Sequence, residues 1–196
     1  MLSIPDILMI VEAFDPGDDP AAEASRRQTL ELLSRSPFPL SRTNVHPGHL
    51  TGSAVVLSPD RQRVLLVFHH RLQRWLQPGG HVEPSDTDIM ATARREVFEE
   101  TGITGRVDHV PVLVGVDVHR IPVSEREPSH LHHDLVFRVI AEAEDFRLSA
   151  EAPKVAWCPV DDLRPYGLDP FITKAIRRAC IENLSSHSSQ PHHAGD

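Results

Sequence analysis

The spacing of apolar residues changes from a helical to a strand period after the first quarter of the chain. Residues 4–14 and 21–34 carry apolar side chains at helical spacing, and an acidic turn with two prolines, at 15–20, separates them. This pattern predicts two short helices. Pro37 disfavours further helix, because the residue before a proline avoids the helical conformation. We therefore predict a short N-terminal helical extension over residues 1–45.

Two apolar runs open the second part of the chain. The runs at 54–57 and 64–68 flank a Ser-Pro-Asp-Arg turn, which is typical of a hairpin of two buried strands. A longer segment, 88–101, predicts a helix. Capping residues are expected at 85–87, and Gly102 is expected to end the helix.

The remaining pattern completes an α/β domain. Three more strands and a last helix are predicted, at 110–119, 131–141, 154–158 and 170–182. We therefore predict one domain over residues 46–184. Residues 185–196 contain no large apolar side chain and are predicted to form a disordered tail.

The composition argues against several kinds of partner and against a membrane-spanning or disulfide-rich protein. The 20 Lys and Arg residues face 28 Asp and Glu, for a formal net charge of −8. This balance disfavours a nucleic acid polymer or an anionic membrane as partner, because both require clustered positive charge. The sequence has no apolar run near the roughly 20 residues of a membrane-spanning helix. Cys158 and Cys180 are too few for a disulfide framework, so we expect a cytoplasmic protein.

Three carboxylates share one face of the predicted helix at 88–101. Glu96, Glu99 and Glu100 stand at positions i, i+3 and i+4, which places them about 5–6 Å apart. Like charges at this spacing destabilise a helix, whereas a divalent cation between them reverses the effect. Ligands that offer only oxygen suit Mg²⁺ first and Mn²⁺ next.

The residues around this helix extend the pattern. Gly79 and Gly80 follow Pro78 ahead of the helix, which ends in the run Arg95-Glu96-x-x-Glu99-Glu100-x-Gly102-Ile103. This arrangement resembles the signature of the Nudix hydrolases. The resemblance implies a fold of the α/β class, a Nudix-type α/β/α sandwich with a mixed β-sheet. Three further segments, at 75–81, 117–122 and 128–134, are similar to a bacterial Nudix branch with a helical N-terminal extension.

The match departs from the family pattern at one point. The loop between Gly80 and Arg95 is one residue longer than in the usual signature, so that either Asp86 or Thr87 stands where the family has its first glutamate. In the family that glutamate mainly holds the loop to the arginine. We expect Asp86 or Asp88 to pair with Arg95 here, with the metal-binding half of the signature intact.

The resemblance also implies roles for individual residues. Glu96, Glu99 and Glu100 are the implied ligands of Mg²⁺, with Mn²⁺ as the second choice, and the backbone carbonyl of Gly79 completes the set. Glu99 is alternatively the partner of a metal-bound water. The resemblance also implies a catalytic role for Glu99 and for Arg95.

A further acid is expected after the signature, ahead of a strand that contains Trp. Glu151 lies six residues before Trp157 and fits this place, as a metal ligand or as the catalytic general base. The other acids that fit are Asp134, Glu142 and Glu144.

Four residues near the signature are predicted substrate contacts, namely Arg74, Trp75, His81 and His132. Two interpretations are open for Trp75, stacking on a base and packing in the core. Two are also open for Arg74, binding a phosphate group and exposure to solvent without a specific role. The histidines suit phosphates, a softer metal such as Zn²⁺ or Mn²⁺, or hydrogen bonds to the backbone. If 131–141 is a strand, His132 and Asp134 share one of its faces.

The function that the resemblance implies is Mg²⁺-dependent hydrolysis of a diphosphate linkage in a nucleoside diphosphate derivative or a related small molecule. The alternative is a Nudix-fold module that binds a nucleotide or nucleotide sugar without cleaving it, although the intact carboxylates count against it. A diphosphate isomerase needs a cysteine near the site, and both cysteines lie far along the chain. Three roles are open for the N-terminal helices: packing on the domain, forming a lid, or forming a homodimer.

Overall fold

The computed structural model describes residues 2–70, 72–106, 112–124, 127–149 and 152–181. Its helices are α1 (Ile4–Ala13), α2 (Pro20–Arg35), α3 (Ile89–Thr101) and α4 (Pro170–Ile181), with a short 3-10 helix at Arg164–Tyr166. Its strands are β1 (His49–Leu57), β2 (Arg63–His69), β3 (Arg74–Leu76), β4 (Gly79–His81), β5 (Gly105–Arg106), β6 (Leu113–Ile121), β7 (His130–Ala141) and β8 (Val155–Pro159). The predicted tail at 185–196 lies outside the described residues.

The strands form one mixed sheet around β1. This strand pairs in parallel with β7 along its whole length, and antiparallel with β2 and β4. Strands β5 and β6 pair antiparallel with β7, and β3 and β8 pair antiparallel with β2. The predicted hairpin is confirmed, because Val56 lies opposite Leu65 and Leu57 opposite Val64.

Side-chain alternation along β1 divides the sheet into two faces. Ala54 and Val56 point into the core cluster that contains residues of α1, α2 and α3. Val55 and Leu57 point the other way, into the cluster that contains α4. Helices therefore cover both faces, and the expected α/β/α sandwich with a mixed sheet is confirmed.

Helix α3 ends as predicted but begins differently. Gly102 adopts a left-handed conformation with φ 72°, and its N–H donates to the carbonyl of Phe98, which is a typical glycine C-cap. The N-cap is Asp88, whose side chain accepts a 2.8 Å hydrogen bond from Ala91 N. The prediction of a cap at 85–87 is wrong, because Asp86 is engaged by Arg95 instead.

The N-terminal helices pack on the sheet. Ile7 and Val11 of α1 and Leu32 and Leu33 of α2 belong to the same core cluster as the strand residues of one face. Polar contacts join the same layers: Thr29 Oγ1 lies 3.1 Å from His133 Nδ1 of β7. Helices α1 and α2 thus share a hydrophobic core with the sheet. In the described ranges, no helix combines the length and apolar character needed to cross a membrane.

The packing of α1 predicts that it unfolds together with the sheet. Ile7 is 2% exposed and Met9, on the same helix, is 61% exposed. Replacing Ile7 with Ala should lower the free energy of unfolding by about 2–5 kcal/mol, because it leaves a cavity in the shared core. The measurement is a urea titration followed by the fluorescence of Trp75 and Trp157, which both lie in strands of the sheet.

The matched control is Met9→Ala, which should change the free energy of unfolding by no more than about 0.5 kcal/mol. If the tryptophan signal of Ile7→Ala keeps the wild-type midpoint, α1 is not part of the cooperative unit that contains the sheet.

Candidate active site

One glutamate of α3, Glu96, faces a glycine strand. Glu96 is buried and Glu99 is half-exposed. Strand β4 brings Gly80 so close that a Cβ built on it would lie 2.4 Å from Glu96 Oε1. A side chain at this position would therefore displace the Glu96 carboxylate. Gly79, the preceding residue, pairs with Ser53 of β1, and its implied role as a carbonyl ligand stays a prediction.

Arg95 connects the glutamates to the preceding loop. Its guanidinium binds both oxygens of Asp86, with Nε at 3.0 Å from Oδ1 and Nη2 at 3.1 Å from Oδ2. Nη1 donates to Glu96 Oε1 at 2.8 Å and to Glu99 Oε2 at 3.0 Å. Nη2 also donates to the backbone carbonyl of His81 at 2.7 Å. This set of acceptors raises the pKa of Arg95 further above its ordinary value.

Asp86 takes the place of the family's first glutamate. Of the two acids expected to pair with Arg95, Asp86 does so and Asp88 caps α3. Burial disfavours the charge on Asp86, but hydrogen bonds from Arg95, from Glu83 N and from Thr92 Oγ1 outweigh it and lower its pKa. An aspartate, shorter than the glutamate of the usual signature, therefore closes a loop that is one residue longer than in that signature.

A second carboxylate is buried on the other side of β4. Asp134 of β7 is 3% exposed and accepts hydrogen bonds from Thr51 and Ser53 of β1 and from Gln77. Burial raises the pKa of Asp134, against the opposing effect of His119 and the two hydroxyl donors.

The other acids considered for a catalytic role lie elsewhere. Glu142 accepts a hydrogen bond from Thr104 at 2.8 Å, and Glu144 pairs with Arg63. Glu151 lies outside the described residues.

The predicted substrate contacts fall into two groups. Trp75 of β3 packs edge-on against Phe68 and against Tyr166, with ring centroids 5.4 Å apart in each case, while its neighbour Arg74 is exposed. His81 and His132 lie together, with ring centroids 5.0 Å apart. Trp75 thus packs with aromatic side chains, whereas His81 and His132 contact each other, and the substrate roles of all four residues stay predictions.

His81 and His132 belong to a cluster of imidazoles that includes His49 and His130. The rings lie on one face of the sheet, and the ring centroids of His49 are 4.8–5.1 Å from those of the other three. Burial and the neighbouring imidazoles lower the pKa of His81 to about 4 and that of His132 to about 2. Both rings are therefore neutral at pH 7.

Reasoning from the sequence missed His49 in this cluster. The available signal was its position: His49, Thr51 and Ser53 alternate along β1 and so point to one face. That face also receives His132, because the parallel register sets His49 opposite His132 and Thr51 opposite Asp134.

The fold and the glutamate-bearing helix define an α/β/α domain of the Nudix type. The chain belongs to the Nudix family, since the family model described as NUDIX domain matches residues 48–179. A Nudix-family hydrolase from Clostridium perfringens is 20% identical with a TM-score of 0.52, over 68% of this chain and 97% of that one. The NUDIX domain of Shewanella oneidensis NrtR, solved with ADP ribose, is 23% identical with a TM-score of 0.52, over 69% and 88%.

Curated relatives match over the same region. The putative mutator protein MutT4 of Mycobacterium tuberculosis is 37% identical over 89 residues, which cover 45% of this chain and 34% of that protein. The asymmetrical bis(5'-nucleosyl)-tetraphosphatase of Rattus norvegicus is 32% identical over 103 residues, which cover 50% of this chain and 65% of that protein. The chain thus spans only about one third to two thirds of the length of these relatives.

The contact between Arg95 and Asp86 predicts a pH-dependent loss of stability in Asp86→Asn. The side chains of Asp86 and Arg95 are 4% and 17% exposed, so removing the charge should lower the free energy of unfolding by about 3 kcal/mol at pH 7. Since folding lowers the pKa of Asp86, its contribution is complete above the unfolded-state pKa and is lost as the pH falls through the folded-state pKa.

The free-energy difference between wild type and Asp86→Asn should therefore be constant above about pH 5 and shrink below about pH 4. Urea titrations across this range measure it. The control is Asp162→Asn, which removes an exposed ion pair with Arg164 and should leave the midpoint unchanged. A difference that grows as the pH falls would contradict the assignment.

Proposed function

We propose that the protein is a Mg²⁺-dependent hydrolase that cleaves a diphosphate linkage in a nucleoside diphosphate derivative or a related small molecule. The observation that carries this proposal is the set of three glutamates on α3, Glu96, Glu99 and Glu100, of which Glu96 lies against Gly80. Arg95 binds Glu96 and Glu99 and also the preceding loop. The donor set fits Mg²⁺ because these side chains offer only oxygen atoms, which hard divalent cations prefer.

The names of the curated relatives are consistent with this class of reaction. They include an asymmetrical bis(5'-nucleosyl)-tetraphosphatase, an m7GpppN-mRNA hydrolase from Bos taurus and a diphosphoinositol polyphosphate phosphohydrolase from Homo sapiens. The substrates of these proteins differ, and each contains linked phosphate groups. The relatives therefore support a phosphoanhydride as the reacting group rather than one particular substrate.

The proposed reaction adds water across a P–O–P bond and gives two phosphate-terminated fragments. Glu96, Glu99, Glu100 and the carbonyl of Gly79 would hold the metal, which when bound neutralises phosphate charge and lowers the pKa of the attacking water. Arg95 positions Glu96 and Glu99 through Nη1. Arg95 also contacts the glycine strand, because Nη2 donates to the backbone carbonyl of His81.

A carboxylate must accept the proton of the attacking water. Glu99 suits this role because its side chain is 50% exposed and lies one helical turn from Glu96. We retain Glu151 as the second candidate on its place in the sequence. Replacing each acid with Gln in turn distinguishes them by the pH profile: loss of the base removes the acidic limb, whereas loss of a metal ligand alone lowers kcat and leaves that limb in place.

Arg74, Trp75, His81 and His132 are the proposed substrate contacts. Trp75 and Arg74 lie on β3, an edge strand of the sheet; Trp75 is proposed to stack on a base and the exposed Arg74 to bind a phosphate. We also propose a cytoplasmic location, because Cys158 and Cys180 are too few for a disulfide framework.

The decisive experiment measures phosphate or nucleotide release from a panel of substrates with Mg²⁺ and then Mn²⁺. The panel contains nucleoside triphosphates, nucleotide sugars, ADP-ribose and dinucleoside polyphosphates. At least one class should turn over only when the divalent cation is present. Binding without turnover across the whole panel would instead support the non-catalytic nucleotide-binding module.

Glu100→Gln should lower kcat on the active substrate by at least about 100-fold, because it removes a charged metal ligand and leaves the side-chain size nearly unchanged. The matched control is Glu31→Gln on α2, which removes only an exposed ion pair with Arg35 and should retain wild-type kcat. Circular dichroism checks that both variants are folded. Near-wild-type turnover by Glu100→Gln would reject the proposed role of this carboxylate.

A further inference from the structure

The imidazole cluster on the sheet brings three ring nitrogens to one point. One ring nitrogen from each of His49, His81 and His132 lies within 4.8 Å of the other two. The three residues come from three paired strands, β1, β4 and β7, so the hydrogen-bonded registers fix their backbones. The convergence is therefore built into the sheet and does not depend on a loop.

The protonation of His49 is set by its surroundings. Its Nδ1 lies 3.1 Å from the carbonyl oxygen of Asn44. Because a carbonyl oxygen only accepts hydrogen bonds, Nδ1 carries the proton and Nε2 of the neutral ring holds a lone pair. His49 is 1% exposed, and within the described ranges no hydrogen-bond donor reaches its Nε2. A buried lone pair is costly unless a ligand satisfies it.

His81 shows the same feature, and His130 supplies a supporting contact. Among the described residues, none donates a hydrogen bond to the buried Nε2 of His81. His130 donates from Nδ1 to the carbonyl of Pro128 at 2.8 Å, and its Nε2 lies 3.1 Å from Nε2 of His132. Histidines that bind metals commonly donate their other ring N–H to a backbone carbonyl, which fixes the orientation of the ring. His49 does this with Asn44, and His130, anchored on Pro128, contacts the ring of His132.

We propose that His49, His81 and His132 bind a zinc ion through one ring nitrogen each, with His130 as a positioning residue. Neutral imidazole is a preferred ligand of Zn²⁺ and a poor one of Mg²⁺. Zn–N distances of about 2.0–2.1 Å in a tetrahedron place ligand atoms roughly 3.3 Å apart. The three nitrogens therefore need to approach by no more than about 1.5 Å, which side-chain rotation can supply.

Three protein ligands leave the fourth tetrahedral position open to a water or another oxygen ligand. This site is separate from the glutamates of α3, since it uses nitrogen donors on the sheet rather than oxygen donors on the helix. For His81 and His132 this assignment replaces the direct substrate contact proposed above, and it does not depend on the proposed hydrolase activity. The two metals are therefore distinguishable by ligand chemistry as well as by position.

The first experiment uses the full chain without an affinity tag, stripped of metal with a chelator. Zn²⁺ is titrated against a chromophoric chelator, and one tightly bound ion per chain is expected. Replacing Zn²⁺ with Co²⁺ should give the visible bands of a tetrahedral ion without the thiolate charge-transfer band that a cysteine ligand produces. An octahedral Co²⁺ spectrum, or no bound ion, would overturn the proposal.

The second experiment identifies the ligands. His132→Asn and His81→Gln should each weaken Zn²⁺ binding by more than about 100-fold, because loss of a supporting contact alone costs roughly 10–100-fold. His130→Gln should fall in that lower range. The matched controls are His70→Gln, at an exposed position, and the double variant His192→Ser with His193→Ser, which should both bind Zn²⁺ as wild type does.

Glu100→Gln separates the two sites. It should retain Zn²⁺ affinity even though the proposed function requires it to lose Mg²⁺-dependent turnover. Zn²⁺ should also raise the thermal midpoint of wild type and not that of His132→Asn. If Glu100→Gln or the control histidine variants lose Zn²⁺, or if His132→Asn and His81→Gln retain it, the assignment is wrong. If the cluster variants fail to fold, the Co²⁺ spectrum of wild type decides.

Discussion

The ion pair between Arg95 and Asp86 is the constraint on which the candidate active site depends. It joins α3 to the loop that follows β4, and it does so with two hydrogen bonds in a fixed planar geometry. A guanidinium that is held in this way has further donors with fixed directions. These reach Glu96, Glu99 and the backbone of His81. One side chain therefore sets the position of the helix carboxylates and of the glycine strand at once.

The placement of charge follows from this constraint. Glu96, Glu99 and Glu100 repel one another on α3, and Arg95 compensates two of them while its own charge is balanced by Asp86. The net charge of −8 thus says little about the site itself. What matters there is that one cation, the Arg95 guanidinium, is built in beside the carboxylates. It offsets part of the repulsion between the glutamates of α3, and a bound divalent cation, as proposed above, would offset more.

The sequence predicted the periodic elements well, because their side chains alternate or repeat in ways that packing on a sheet requires. The hairpin at β1 and β2 and the end of α3 at Gly102 are examples. The capping residue was not predicted, because Asp86 and Asp88 are equivalent as caps in a sequence. The two aspartates differ only in the folded structure, where Arg95 forms an ion pair with Asp86, nine residues earlier in the chain. Asp88 is then the residue that caps the helix.

The imidazole cluster could not be predicted in full for a similar reason. His132 was visible from strand alternation, but its neighbour His49 is 83 residues away in the chain, and only the parallel register of β1 and β7 sets them opposite each other. A parallel pairing between strands that are distant in sequence leaves no local signal. The role of Thr29 against His133 is hidden in the same way.

Strand β4 links the two groups of polar residues. Across three residues it presents Gly79 to Ser53, Gly80 to Glu96, and the ring of His81 to His49 and His132. The carbonyl of His81 meanwhile accepts from Arg95. The candidate zinc ligand His81 and the glycine that faces Glu96 are therefore consecutive residues of one strand, and Arg95 holds the backbone between the two groups.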